Sequence, residues 1–121
     1  RLGAKMPMLR WVPNIPQTPT CDISIDNSLA VANSRLVGQY VACDARIRQL
    51  ALPLKAWARS KYINDRSRGT LSSFALILML IHFLQRRSLL PSLQDLAIAS
   101  GQPSREIAGL DCRFCDDHAA I

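Results

Sequence analysis

The residues best suited to chemistry stand at a few positions. In Cys21-Asp-Ile-Ser-Ile-Asp26, apolar Cys21, Ile23 and Ile25 alternate with Asp22, Ser24 and Asp26. Period-two alternation predicts a half-buried strand with both carboxylates on its polar face, toward solvent or a cleft. Lys55 and Arg59 are four residues apart, on one side of a helix, where like charges repel and a shared anion relieves the repulsion. Ser72 and Ser73 follow Thr70, read here as a helix cap. The first amides of a helix lack internal partners and carry the positive dipole end, so small hydroxyls there suit a phosphate. The plainer readings are solvated cations and ordinary capping. Cys112 and Cys115 with His118 make half of a zinc site, but zinc wants four ligands and the chain has no second Cys pair of that kind. Alternation of Cys112 and Phe114 against Arg113 and Cys115 reads as a strand, and the reading without zinc is favoured.

The elements that must hold these residues follow from pattern. Residues 8–12 suit a short strand, and residues 14–20, in a Pro-rich stretch, a loop. Asp26, Asn27 and Ser28 can cap a helix over 28–42 whose stripe is Leu29, Leu36, Val37 and Tyr40. Asn33 falls on that stripe, and a polar amide facing a core needs a backbone partner or a pocket. Asp44 can cap a second helix over 45–60 with Ile47, Leu50, Leu54 and Trp57 as its stripe. Pro53 lies inside it, at a cost of roughly 3 kcal/mol, so a bend or restart is expected near Leu52. A polar loop over 64–69 precedes a third helix over 70–86. A short helix over 93–99, a loop over 101–106 and an edge strand over 111–115 complete the reading.

Bulk properties narrow the class. The chain has 121 residues, 49% of them hydrophobic, enough for one core. The longest apolar run, Phe74 to Leu84, is interrupted by His82 and falls short of the roughly 20 residues of a membrane span. The net charge of +6 is uneven: residues 1–87 hold 13 Lys/Arg against 4 Asp/Glu, and residues 88–121 hold 2 against 5. A basic front half, rich in Arg, suits a polyanion such as RNA or a triphosphate; a solvated basic surface is the plainer reading. Four cysteines make no dense disulfide framework, so reduced thiols in an intracellular compartment are expected. The chain opens at Arg1 without a signal segment and reads as part of a longer polypeptide.

Several strings, in order, resemble terminal uridylyltransferases and poly(A)-polymerase-like RNA nucleotidyltransferases of the DNA polymerase beta superfamily. Cys21-Asp-Ile-Ser-Ile-Asp-Asn-Ser-Leu-Ala-Val-Ala-Asn33 resembles the strand of the third catalytic aspartate and the helix after it. Asp44-Ala-Arg-Ile-Arg48, Lys55-Ala-Trp-Ala-Arg59, Ile63-Asn64, Gly69-Thr-Leu-Ser-Ser73 and Leu90-Pro-Ser-Leu-Gln94 resemble later elements of that family. Leu84-Gln-Arg-Arg-Ser88 and Asp111-Cys-Arg-Phe114 resemble its mitochondrial poly(A) polymerase branch. The likeness covers roughly residues 8–117.

The resemblance implies an α+β fold: residues 1–27 as closing strands of a catalytic palm, and 28–121 as a mainly helical central domain. It implies template-independent transfer of nucleotides to RNA 3′ ends, UMP from UTP favoured over AMP from ATP, with a catalytically inactive RNA-binding relative as the other reading. Asp22 matches the metal-binding catalytic carboxylate, Asn33 the ribose reader, Lys55 and Arg59 the triphosphate clamps, and Ser73, beside Ser72, a triphosphate-contacting hydroxyl. Phe74 matches the base-stacking aromatic. Arg59 and Phe74 replace the family's usual Lys and Tyr, and the Pro53 placement is unusual. The implied cofactor is Mg²⁺ or Mn²⁺ in a two-metal site completed by residues outside this chain. The implied partners are an RNA 3′ end, a nucleoside triphosphate and the remaining parts of the same polypeptide, with no membrane. A mitochondrial location is the expectation, the cytoplasm its alternative.

Overall fold

The computed structural model of the chain describes residues 8–116. It is α+β: an antiparallel pair of strands, three packed helices, a short fourth helix and a second small hairpin. Strand β1 (Met8–Trp11) pairs with β2 (Cys21–Ser24) through the Pro-rich connection. Leu9 stands opposite Ile23 and Arg10 opposite Asp22. Directly opposed residues share a face of the pleat, so Leu9, Trp11, Cys21 and Ile23 lie on one side, and Met8, Arg10, Asp22 and Ser24 on the other. The apolar side, expected to be half-buried, is open: Leu9 is 64% and Ile23 48% exposed. Nothing among the described residues is layered on it. Asp26 leaves the alternation altogether. The strand ends at Ser24, and Asp26 takes φ 55°, a left-handed turn that Asp tolerates better than most residues, to redirect the chain into a helix.

Helix α1 (Ser28–Cys43) starts where Asn27 Oδ1 accepts the Ala30 amide at 3.2 Å. Helix α2 (Ala45–Ser60) is capped by Asp44, which takes the Arg46 amide at 2.8 Å. The helix passes through Pro53 as one element, without the expected restart. Pro53 and Gln49 both sit on the exposed face, so the Gln49 carbonyl that loses its partner can turn to water. The buried stripe of α2 is Ile47, Ala51 and Ala58, rotated from the expected one: Leu50 and Trp57 are exposed. Small Ala51 and Ala58 let the neighbouring helices approach, while Leu50 and Trp57 are left outside.

Helix α3 (Ser73–Arg86) begins later than expected. Ser72, not Thr70, caps it, accepting the Ala75 amide at 3.1 Å. The Thr70 hydroxyl is engaged elsewhere, accepting the Asp65 amide at 2.7 Å and donating to the Asp65 carbonyl at 2.9 Å. Helix α4 (Leu93–Ala99) is where the pattern placed it. The edge strand expected over 111–115 is instead a two-residue ladder, β3 (Glu106–Ile107) against β4 (Leu110–Asp111). Asp111 accounts for the change: its carboxylate accepts the Arg113 and Arg105 amides and the Arg113 guanidinium, which curls the chain back after β4. Cys115 turns into the core, and His118 lies outside the described residues. No cluster of three His, Cys, Asp or Glu gathers among the described residues, and none of their helices is long and apolar enough to cross a membrane.

The core consists of Tyr40, Ile47, Ile81, Leu84, Leu90 and Leu93, with Leu36, Val41, Ile77 and Phe114 packed around it. Tyr40 is 1% exposed, so its hydroxyl must be satisfied internally. It donates to Gln94 Oε1 at 2.9 Å and accepts from Gln85 Nε2 at 2.9 Å and the Leu93 amide at 3.2 Å. Burial pushes its phenol above the usual range, which keeps the donated proton in place. Tyr40→Phe leaves the buried Leu93 amide without this acceptor, frees Gln94 Oε1 and leaves Gln85 only its bond to the Pro91 carbonyl, so a loss of about 1–3 kcal/mol is expected in urea denaturation of the protein carrying this chain. An unchanged midpoint would show that the hydroxyl holds nothing together.

Candidate active site

The carboxylate side of the site is the polar face of the strand pair. Asp22 is held by a forked ion pair: Arg10 Nε donates to Oδ1 at 2.6 Å and Nη2 to Oδ2 at 2.8 Å. The Arg10 side chain is 65% exposed and that of Asp22 40%. The Arg10 hydrogen bonds hold the Asp22 carboxyl below the usual carboxylate range, so it is ionised at neutral pH. An ionised carboxylate is the hard oxygen donor that Mg²⁺ prefers. It fits as one ligand only, and its oxygens are already engaged by Arg10. The Asp26 carboxylate, past the strand end, is displaced from this face.

The cationic side lies where α2 ends and α3 begins. Arg59 is in the last turn of α2, Lys55 one turn earlier, and neither has an ion pair or side-chain hydrogen bond among the described residues. The connection back to α3 is braced at both ends. Ile63 N donates to the Ala58 carbonyl at 3.0 Å, and Leu71 N to the Ile63 carbonyl at 3.2 Å. Asn64 spans the remainder: its Nδ2 donates to the Leu71 carbonyl at 3.0 Å and its Oδ1 accepts the Ser73 hydroxyl at 3.1 Å. The last turn of α2 is thereby tied to the first turn of α3. Gly69, at φ 76°, makes the tight reversal after the 3₁₀ turn Arg66–Arg68 without the strain a side chain would bring.

The two serines are occupied differently from each other. Ser72 Oγ accepts the Ala75 amide, and Ser73 Oγ is aimed at Asn64. The Ser73 and Phe74 amides have no intrahelical partner, as first-turn positions require. Phe74 is half-buried and stands apart from the core cluster. Asn33, also half-buried, lines a cleft of about 200 Å³ with Leu29, Leu36, Gln94, Asp111 and Phe114. Of the two alternatives open to it, the pocket is the one observed.

Three features were not singled out by residue pattern. The Arg10 fork depends on strand register, which the intervening loop hides. Asn64 has the signal of an amide beside a Gly-containing turn, but its span to Ser73 is a tertiary fact. Gln94 enters the Asn33 cleft because its neighbour Leu93 is fixed by Tyr40.

No protein-family model matches the chain. It is 38% identical over 118 residues to poly(A) RNA polymerase cid13 of Schizosaccharomyces pombe, covering 94% of this chain and 20% of that protein. It is 40% identical over 97 residues to terminal uridylyltransferase 4 of Mus musculus, covering 78% of this chain and 6% of that protein. Its fold superposes on a crystal structure of the Cid1 poly(U) polymerase, with Mg and 3′-dATP bound, at a TM-score of 0.81 and 30% identity. That match covers 98% of this chain and 37% of the other. The chain thus spans about a fifth or less of the curated relatives cited. Matched in sequence along most of its length and in fold along nearly all of it, the chain belongs to the nucleotidyltransferase family that includes these poly(A) polymerases, poly(U) polymerases and terminal uridylyltransferases.

Proposed function

We propose that this chain forms one side of the active site of an RNA 3′-end nucleotidyltransferase that adds nucleotides without a template, using UTP in preference to ATP. The observation that supports the reading is the brace between α2 and α3, which ties the last turn of α2, where unpaired Arg59 stands one turn after unpaired Lys55, to a helix start with two free amides. Lys55 offers a point charge and Arg59 a fork, and the Ser73 and Phe74 amides add fixed donors, a set suited to a triphosphate. The Asn33 amide reads the ribose, and the Phe74 ring stacks on the base. In the reaction the RNA 3′-hydroxyl oxygen bonds to the α-phosphorus and gives up its proton to solvent, the bond from that phosphorus to the β-phosphate bridge breaks, and pyrophosphate leaves. Bound divalent ions supply the charge that favours the attacking oxygen and the leaving group. Asp22 provides one oxygen ligand for them; further carboxylates come from outside this chain. Residues 1–27 belong with the palm and 28–121 with the central domain, in keeping with the uncovered apolar face of the strand pair.

UTP is favoured by the likeness of Gly69-Thr-Leu-Ser-Ser73 to the uridylyl-transferring branch. ATP is the second reading, since cid13 is a poly(A) polymerase by name. With equimolar labelled UTP and ATP and an RNA primer, the protein carrying this chain is expected to incorporate mostly uridylate. Predominant adenylate would replace the first reading with the second, and no incorporation of either would leave an inactive RNA-binding relative.

Two substitutions test the roles. Asp22→Asn is nearly isosteric and removes only charge, so it is expected to reduce addition to background while RNA binding persists. Asp26→Asn is expected to be mild. A near wild-type rate in Asp22→Asn would reject the carboxylate assignment. Lys55→Ala is expected to raise the nucleotide KM about ten-fold or more, the scale of one lost charged hydrogen bond. An unchanged KM with normal turnover would remove Lys55 from the clamp.

A further inference from the structure

Arg10 stands in no motif of the sequence, yet it is the residue that touches Asp22. The two are direct cross-strand partners, and the guanidinium reaches both carboxylate oxygens, at 2.6 and 2.8 Å. Fork-to-fork pairing of this kind uses the lone pairs along the outer edge of a carboxylate. A divalent cation bound by Asp22 needs at least one of those same oxygens, and it carries the same sign of charge as the guanidinium. The two cations then draw on one carboxylate charge at close range, where they repel each other.

We propose that Arg10 is the resident counter-ion of Asp22, and that pairing with Arg10 and ligation of a divalent cation by Asp22 exclude each other. The inference rests on Asp22 being a metal ligand. Arg10 then sets the threshold cation concentration at which the carboxylate changes partner. The exchange is easy because the pair is exposed: the Arg10 side chain retains 65% of its accessible surface, so the released guanidinium is hydrated at once. On this account Arg10 is a positioning residue. It keeps the Asp22 carboxylate oriented in the absence of metal, and gives way when metal arrives.

The test is Mn²⁺ binding to the intact protein carrying this chain, without RNA or nucleotide, followed by the loss of the free Mn²⁺ electron paramagnetic resonance signal. Arg10→Gln is expected to tighten Mn²⁺ binding about two- to five-fold, the range for an exposed ion pair. Arg10→Lys is the deciding variant, because an ammonium keeps the charge but cannot fork both oxygens. It is expected to shift affinity in the same direction by a smaller amount. Asp22→Asn is expected to lose the site. Wild-type affinity in Arg10→Lys alongside tighter binding in Arg10→Gln would reduce the effect to nearby charge and overturn the exclusion. Unchanged or weaker binding in Arg10→Gln would overturn the proposal while leaving Asp22 a ligand. Unchanged binding in Asp22→Asn would instead remove Asp22 from the metal site, and the proposal with it.

Discussion

The helical part of this chain turns on one hydroxyl. Tyr40 sits in the last turn of a long helix, and its oxygen serves the side chain of Gln85 from α3 and the first amide of α4, while its proton goes to Gln94. Helix α4 has only seven residues. A helix that short does not hold itself in water, so its position comes from tertiary partners. Tyr40 and the burial of Leu93 and Ala97 supply them. Gln94 then has little choice of direction, and its place in the wall of the Asn33 cleft follows from a bond made on the core side. The geometry of the Asn33 cleft is thus inherited from a buried phenol that does not line it.

The cationic side obeys a similar logic with a different device. Helix ends fray, and a side chain in a last turn is poorly placed for binding unless the turn is anchored. Here the anchor is a short connection closed by backbone bonds to Ala58 and Ile63 and by the two-ended amide of Asn64. Asn suits the task because one side chain both donates and accepts. The same bond turns the Ser73 hydroxyl inward, so the helix start presents backbone amides as its free donors.

How much of this could be read from residues alone depended on whether a rule was local. Helices α1 and α2 were legible to within a residue, because Asn27 and Asp44 are local caps beside periodic stripes. Helix α3 was misjudged at its start because Thr70, a good cap by type, spends its hydroxyl on Asp65. The face of α2 was misjudged because large apolar residues were assumed to point inward. Close helix packing selected Ala51 and Ala58 instead, and left Trp57 outside. The tail was misread because Asp111 has a stronger local use, gathering two backbone amides and the Arg113 guanidinium, than a ladder of strand bonds offers. Alternation placed Asp22 on the polar face of its strand and the family resemblance singled it out, while its partner was hidden, because alternation gives a face and says nothing of register.

Register also connects the strand pair to chemistry. A slip of one residue moves every side chain to the opposite face. In this hairpin such a slip would place Asp22 among Leu9, Trp11 and the other apolar residues, and would part it from Arg10. Two strands alone are marginal in water, and here the apolar side has no cover among the described residues. The forked ion pair on the polar side is therefore one of few interactions that favour the observed register over its neighbours. A metal ligand must be placed to within fractions of an ångström. If Asp22 has that role, strand register decides which face it serves, and Arg10, opposite it in that register, is the residue a cation must displace there.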